Sequence, residues 1–167
     1  MALLASHVAL SLVGIGAGFY VMYGLLARER GRAPGLERWT LVFLVTTILT
    51  SATGFLFPVT QFLPSHGVGI LSLLILPVAV VAKYVFHQKG PWRWLYTVSS
   101  VVALYFNMFV LVVQLFLKVP PLHALAPTQT EPAFLIAQLL NLGLHVWLGI
   151  AVTRSTAPVL VAPTAAP

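Results

Sequence analysis

Five histidines and three glutamates (Glu29, Glu37 and Glu131) carry nearly all the acid–base and ligand chemistry open to this chain. Cysteine and aspartate are absent, which excludes disulfides, thiol nucleophiles, Cys-ligated clusters and covalently attached haem. No HExxH, Gly-rich phosphate loop or nucleophile elbow occurs. Imidazole is what remains. Neutral imidazole is a ligand for metals and haem iron and a partner for polar headgroups. Two histidines from different helices at one depth can hold a b-type haem, and one suffices for a quinone headgroup. His7 and His66 are the better pair. His66 falls in the first turn of its helix, where the positive end of the dipole disfavours imidazolium. His87 and His145 differ in depth and pair less well. A metal set of His7, His66, His123 and Glu131 is a further arrangement. Against all of these stands the plain expectation that His7 and His66 are hydrated residues at a membrane interface.

The elements that must position these groups are membrane helices. Hydrophobic residues make up 59% of the 167 residues and charged ones only 7%, with mean hydropathy +0.97. A soluble domain carries about a quarter charged residues, so the apolar surface must be covered by lipid. The apolar stretches 3–27, 39–57, 67–86, 94–117 and 132–153 predict an all-α, polytopic bundle of five transmembrane helices over 1–154. An Ala/Pro/Thr-rich tail follows at 155–167. The first stretch lacks the basic start of a secretory signal and reads as a retained span. Arg28, Arg30, Arg32, Arg38, Lys83, Lys89, Arg93 and Arg154 share one side if there are five spans, and Lys118 lies on the other. The positive-inside bias then puts the N-terminus outside and the tail in the cytoplasm. The net charge of +6 is accounted for by this topology signal and by contact with anionic lipid, so it implies no nucleic-acid partner.

Polar residues at membrane depth need partners. The fourth stretch carries Ser100, Asn107, Gln114 and Lys118 on one helical face, and the fifth carries Glu131, Gln138, Asn141 and His145 within a narrow arc. In an antiparallel hairpin, Lys118 lies level with Glu131, Gln114 with Gln138, and Asn107 with Asn141. The expectation is an interhelical polar ladder, each rung worth about 0.6 kcal/mol; a polar path for protons or a quinone headgroup is the functional alternative. In the first stretch, Gly14 and Gly18 form a small-xxx-small pair on the face of His7 and Ser11. They predict close helix packing, with an open slot if that face turns toward the third span. Thr46, Thr50 and Thr53 predict hydroxyls bonded back to their own helix. Ser65 predicts a cap, and Pro77 a kink in the third span.

Three segments, TSATGFLFP (50–58), PSHGVGILSL (64–73) and APTQTEPAFLIAQ (126–138), together with the span pattern, resemble a group of small uncharacterised bacterial integral membrane proteins. The resemblance implies a bacterial inner-membrane location and brings no activity and no site residues. Small size, minimal loops and few ionisable groups in the spans point to a non-catalytic membrane subunit or accessory protein of a larger complex. That reading makes other membrane subunits and lipid the partners. The alternative is a redox module binding haem b or quinone through His7 and His66. A solute transporter is disfavoured by the missing intramembrane acids and the odd span count.

Overall fold

In the computed structural model of the chain, the described residues are 2–27, 33–57 and 64–155, and among them every regular element is helical. The basic run 28–32, Pro58, the Ser65 cap and the tail beyond Ser155 lie outside what is described. The helices are α1 (Ala2–Leu26), α2 (Leu36–Gly54), α3 (Pro64–Val80), α4 (Pro91–Lys118), the short α5 (Pro120–Leu125) and α6 (Pro132–Ser155). Proline opens α4, α5 and α6, where the first turn has no use for its missing N–H. Gly35 leads into α2 with φ 68°, a left-handed conformation that a side chain would resist. Pro77 lies inside α3, which runs on through one π-type turn, Val81–Val85.

Among the described residues four helices are long and apolar enough to cross a membrane: Ala2–Leu26, His66–Val85, Pro91–Lys118 and Pro132–Ser155. The 19-residue α2 is not among them, because Glu37 and Arg38 open it and hydroxyl residues fill its second half. It still runs antiparallel along the length of α1. Gly24 meets Leu36, Gly18 meets Phe43, Gly14 meets Thr46 and Thr47, and Gly54 meets His7.

The centre of the bundle is α4, which packs against α1, α3 and α6. Met22, Phe43, Leu76, Tyr96, Leu104 and Val152 are fully buried around it. Tyr96 is therefore a core residue. The Gly14/Gly18 face packs closely, but against α2 and α4 instead of α3. A Cβ on Gly18 would lie 2.7 Å from Leu104 Cδ1 and 2.9 Å from Phe43 Cε2. Outward positions such as Leu74, Leu140 and Trp147 are large, apolar and exposed, as surfaces facing hydrocarbon are. At one end of the bundle Lys83 Nζ donates to Glu37 Oε2 at 2.6 Å, tying the end of α3 to the start of α2. Arg38, Lys89, Arg93 and Arg154 belong to the same end, and Lys118 to the opposite one.

Candidate site: a polar cavity between four helices

Beyond the Gly14–Gly18 contact, α1 and α4 leave a cavity of about 450 Å³ between themselves, α2 and α3, at the end opposite the basic rim. Its walls are apolar (Leu4, Val8, Leu12, Ile15, Phe106 and Val110 among them), with polar groups from each helix. From α1 come His7 and Ser11, from α2 Thr50 and Ser51, from α3 His66 and Ser72, and from α4 Asn107, Gln114 and Lys118. Thus His7 and His66 line one cavity, and the polar face of α4 looks into the same space. An apolar cleft of this size with a few convergent polar groups is the usual form of a small-molecule site.

The local bonds fix several of these groups. His7 Nδ1 lies 2.9 Å from Thr53 Oγ1, and its ring meets Phe57 edge-on at 5.2 Å between centroids. Thr53 in turn donates to the Leu49 carbonyl at 2.7 Å. The Ser11 hydroxyl donates to the His7 carbonyl at 2.9 Å. The His66 ring lies 5.8 Å from that of Phe55. Thr46 donates to the Val42 carbonyl at 2.7 Å, while the buried Thr50 hydroxyl finds no partner among the described residues. The threonine stripe thus bonds to its own helix at two of its three positions.

The expected ladder takes a different form. The helices α4 and α6 are antiparallel neighbours in steady register: Phe116 meets Phe134, Tyr105 meets His145, and Gly149 lies against Val101. The side chains, however, bond elsewhere. Asn107 Nδ2 donates to Thr47 Oγ1 of α2 at 3.1 Å, turning away from Asn141. Gln138 Nε2 donates to the Phe109 carbonyl at 3.3 Å, and Gln114 faces the cavity. Glu131 accepts from the Thr128 hydroxyl and from the amides of Thr128 and Thr130, and Lys118 lines the cavity instead of pairing with it. The reason is angular: the face of α4 that bears Asn107, Gln114 and Lys118 is turned toward α1, α2 and α3.

On α6, Gln138 Oε1, both side-chain amide atoms of Asn141, and His145 Nε2 are buried without a partner among the described residues. His145 Nδ1 bonds the Asn141 carbonyl at 2.8 Å, and the ring sits against Tyr105 and Phe19. Among the described residues no group of three or more metal-ligating side chains comes together, so the His7/His66/His123/Glu131 set is not assembled. His123 lies on α5 with Nδ1 3.3 Å from the Phe116 carbonyl, and His87 is exposed at the other end.

Glu131 lies outside the helices that are long and apolar enough to cross a membrane. Desolvation pushes its carboxyl up, but hydrogen bonds from the Thr128 hydroxyl and neighbouring backbone amides outweigh this and hold it below the usual carboxylate range. Sequence reasoning read Thr53 only as bonded to its own helix, not as the partner of His7, and did not single out Ser51 and Ser72 of the cavity wall. An equal-depth comparison of the first two stretches, of the kind applied to the last two, places Thr53 beside His7. Comparison of the chain with protein-family models, curated proteins and solved structures finds no match in any of the three.

Proposed function

We propose that this chain is an integral protein of the bacterial inner membrane whose cavity binds an amphipathic small molecule with a quinone-type headgroup. In this reading it crosses the bilayer five times, with its N-terminus outside. The antiparallel run of α2 along α1 supports the fifth crossing, since 19 residues of helix reach about 28 Å, close to the ~30 Å hydrocarbon core. The collection of Arg38, Lys83, Lys89, Arg93 and Arg154 at one end supports the orientation.

The observation that carries the binding reading is the convergence of His7, His66 and Lys118 on one apolar-walled cavity of about 450 Å³. Polar groups at the end of the cavity take a headgroup. Leu4, Val8, Leu12 and Leu115, which line it and are themselves exposed, leave a lateral path for an apolar chain into lipid. A headgroup needs only a hydrogen-bond partner, and His7, Gln114 and Lys118 together bring both acceptors and donors to the cavity. Bis-histidine haem ligation needs ring nitrogens of both His7 and His66 aimed at one iron, whereas of the two a headgroup makes use of His7 alone.

The test is saturable binding of a decyl-substituted benzoquinone and its hydroquinone to the protein in nanodiscs, by equilibrium partition against empty discs. Ser11→Phe, which fills the cavity, should abolish binding of both while the far-ultraviolet dichroism is unchanged. Absence of saturable binding overturns the reading. A Soret band in the purified protein overturns it in favour of haem.

A further inference from the structure

We infer that the cavity selects the reduced, hydroxyl-bearing form of its ligand, a hydroquinone or phenol, over the oxidised quinone. The inference rests on the binding reading above and follows from where the protons in the His7 network must lie. The Thr53 hydroxyl has one proton to give. At 2.7 Å from the Leu49 carbonyl, with the Thr50 carbonyl at 3.3 Å as a second acceptor, that proton is committed to its own helix. Both of those partners are carbonyls and only accept. Toward His7, therefore, Thr53 Oγ1 presents a lone pair, and the 2.9 Å contact with Nδ1 requires Nδ1 to carry the hydrogen. A neutral imidazole protonated at Nδ1 is bare at Nε2. The described residues give that nitrogen no partner.

The rest of the α1 wall points the same way. The proton of Ser11 is donated to the His7 carbonyl, so its oxygen also offers lone pairs. Donors sit across the cavity on α4, in the Lys118 ammonium and the Gln114 amide. A hydroquinone satisfies both walls, with one O–H donated to His7 Nε2 and its second oxygen accepting from α4. A quinone has two acceptor oxygens. It can use the donors of α4 but leaves His7 Nε2 dry and unpartnered. The cost of stranding one such acceptor corresponds to a preference for the hydroquinone of roughly tenfold to a hundredfold.

The experiment compares three probes on the intact protein in nanodiscs under argon at pH 8, where imidazole is neutral. They are the decyl hydroquinone, the decyl benzoquinone and the dimethyl ether of the hydroquinone. Wild type should bind the hydroquinone roughly tenfold to a hundredfold more tightly than the other two. Thr53→Val removes the acceptor that fixes the tautomer with little change of volume. It should reduce the preference severalfold or more while the hydroquinone still binds. His7→Gln offers an amide that donates as well as accepts and should abolish the preference. Equal or tighter binding of the quinone by wild type, or an unchanged preference in Thr53→Val, overturns the inference and leaves the cavity reading standing. Failure of all three probes to bind overturns that underlying reading.

Discussion

Gly18 and Gly16 make a matched pair on α1 from which the packing argument can be measured. Alanine at either position removes backbone freedom from the unfolded chain and gains about 1 kcal/mol of helix propensity. At Gly16 nothing lies within 4 Å of the added Cβ, so Gly16→Ala should be neutral or stabilising by up to that amount. At Gly18 the Cβ would sit 2.7 Å from Leu104 Cδ1 and 2.9 and 3.0 Å from two atoms of the Phe43 ring. Leu104 can rotate only within a fully buried site, and Phe43 is fully buried as well, so α1 must move outward or the core must strain. Overpacking of this kind costs about 1–3 kcal/mol. Gly18→Ala should therefore be less stable than Gly16→Ala by about 1–3 kcal/mol, the propensity gain being common to both. Reversible unfolding in mixed detergent micelles, followed by far-ultraviolet dichroism, reads that difference directly. Equal stability of the two variants would refute the assignment of Gly18 as the point where α1 touches α2 and α4.

Other expectations follow from the polar groups and the topology. Asn107→Leu loses the bond to Thr47 and should destabilise by about 0.6 kcal/mol and at most ~2. Asn141→Leu removes a side chain whose amide atoms have no partner and should be neutral or stabilising by about 1–3 kcal/mol; the same unfolding assay separates the two. Because hydrogen bonding holds the Glu131 carboxyl below the ordinary range, its stabilisation of the connection between α5 and α6 is complete above the unfolded-state value. It is lost as pH falls through the folded value. Hydrogen exchange at the Thr128 and Thr130 amides should thus lose protection on the acid side, and Glu131→Gln should abolish that dependence. Reporter fusions after Gly35 and after Ser155 should both report cytoplasm, and a periplasmic signal from either would sink the five-span topology.

Much of the architecture is legible in the chain because a membrane allows few alternatives. Backbone groups must be paired in hydrocarbon, so a long apolar stretch becomes a helix, and Pro91, Pro120 and Pro132 mark where α4, α5 and α6 begin. The exception is α2. Its apolar middle reads as a span, but Glu37, Arg38 and the threonines lower its hydropathy, and only its run beside α1 shows how far it extends. The depth of His7 and His66 was readable from their places near helix ends. Rotation about the helix axis was not. Ser100, Asn107, Gln114 and Lys118 define a face, but periodicity alone does not say which neighbour that face meets. In the structure, Asn107 meets Thr47 and Gln114 meets the cavity, while α6 is left with Gln138 on a backbone carbonyl and Asn141 on nothing. Apolar packing accompanies the Asn107–Thr47 bond in this orientation: Leu104 is fully buried against Gly18 of α1.

The same two glycines connect this packing to the cavity. Gly14 brings α1 down onto Thr46, Thr47 and Asn107, and Gly18 onto Phe43 and Leu104. About one and two turns from Gly14 toward the N-terminus, at Ser11 and His7, the side chains regain size and polarity, and the helices enclose space instead of filling it. The contact sets the level at which the cavity closes, with Asn107 at its floor between Thr47 and the open volume. It also sets the aim of His7, because the bond to Thr53 spans two helices whose relative position is held at Gly18. A larger residue at Gly18 should therefore act twice: it strains the core, and it lengthens the His7–Thr53 bond that fixes which imidazole nitrogen is bare. Gly18→Ala is expected to blunt the discrimination between hydroquinone and quinone as Thr53→Val does, although it lies about three turns of helix from His7. A Gly18→Ala protein that loses stability but keeps full discrimination would show that the two ends of α1 are mechanically independent.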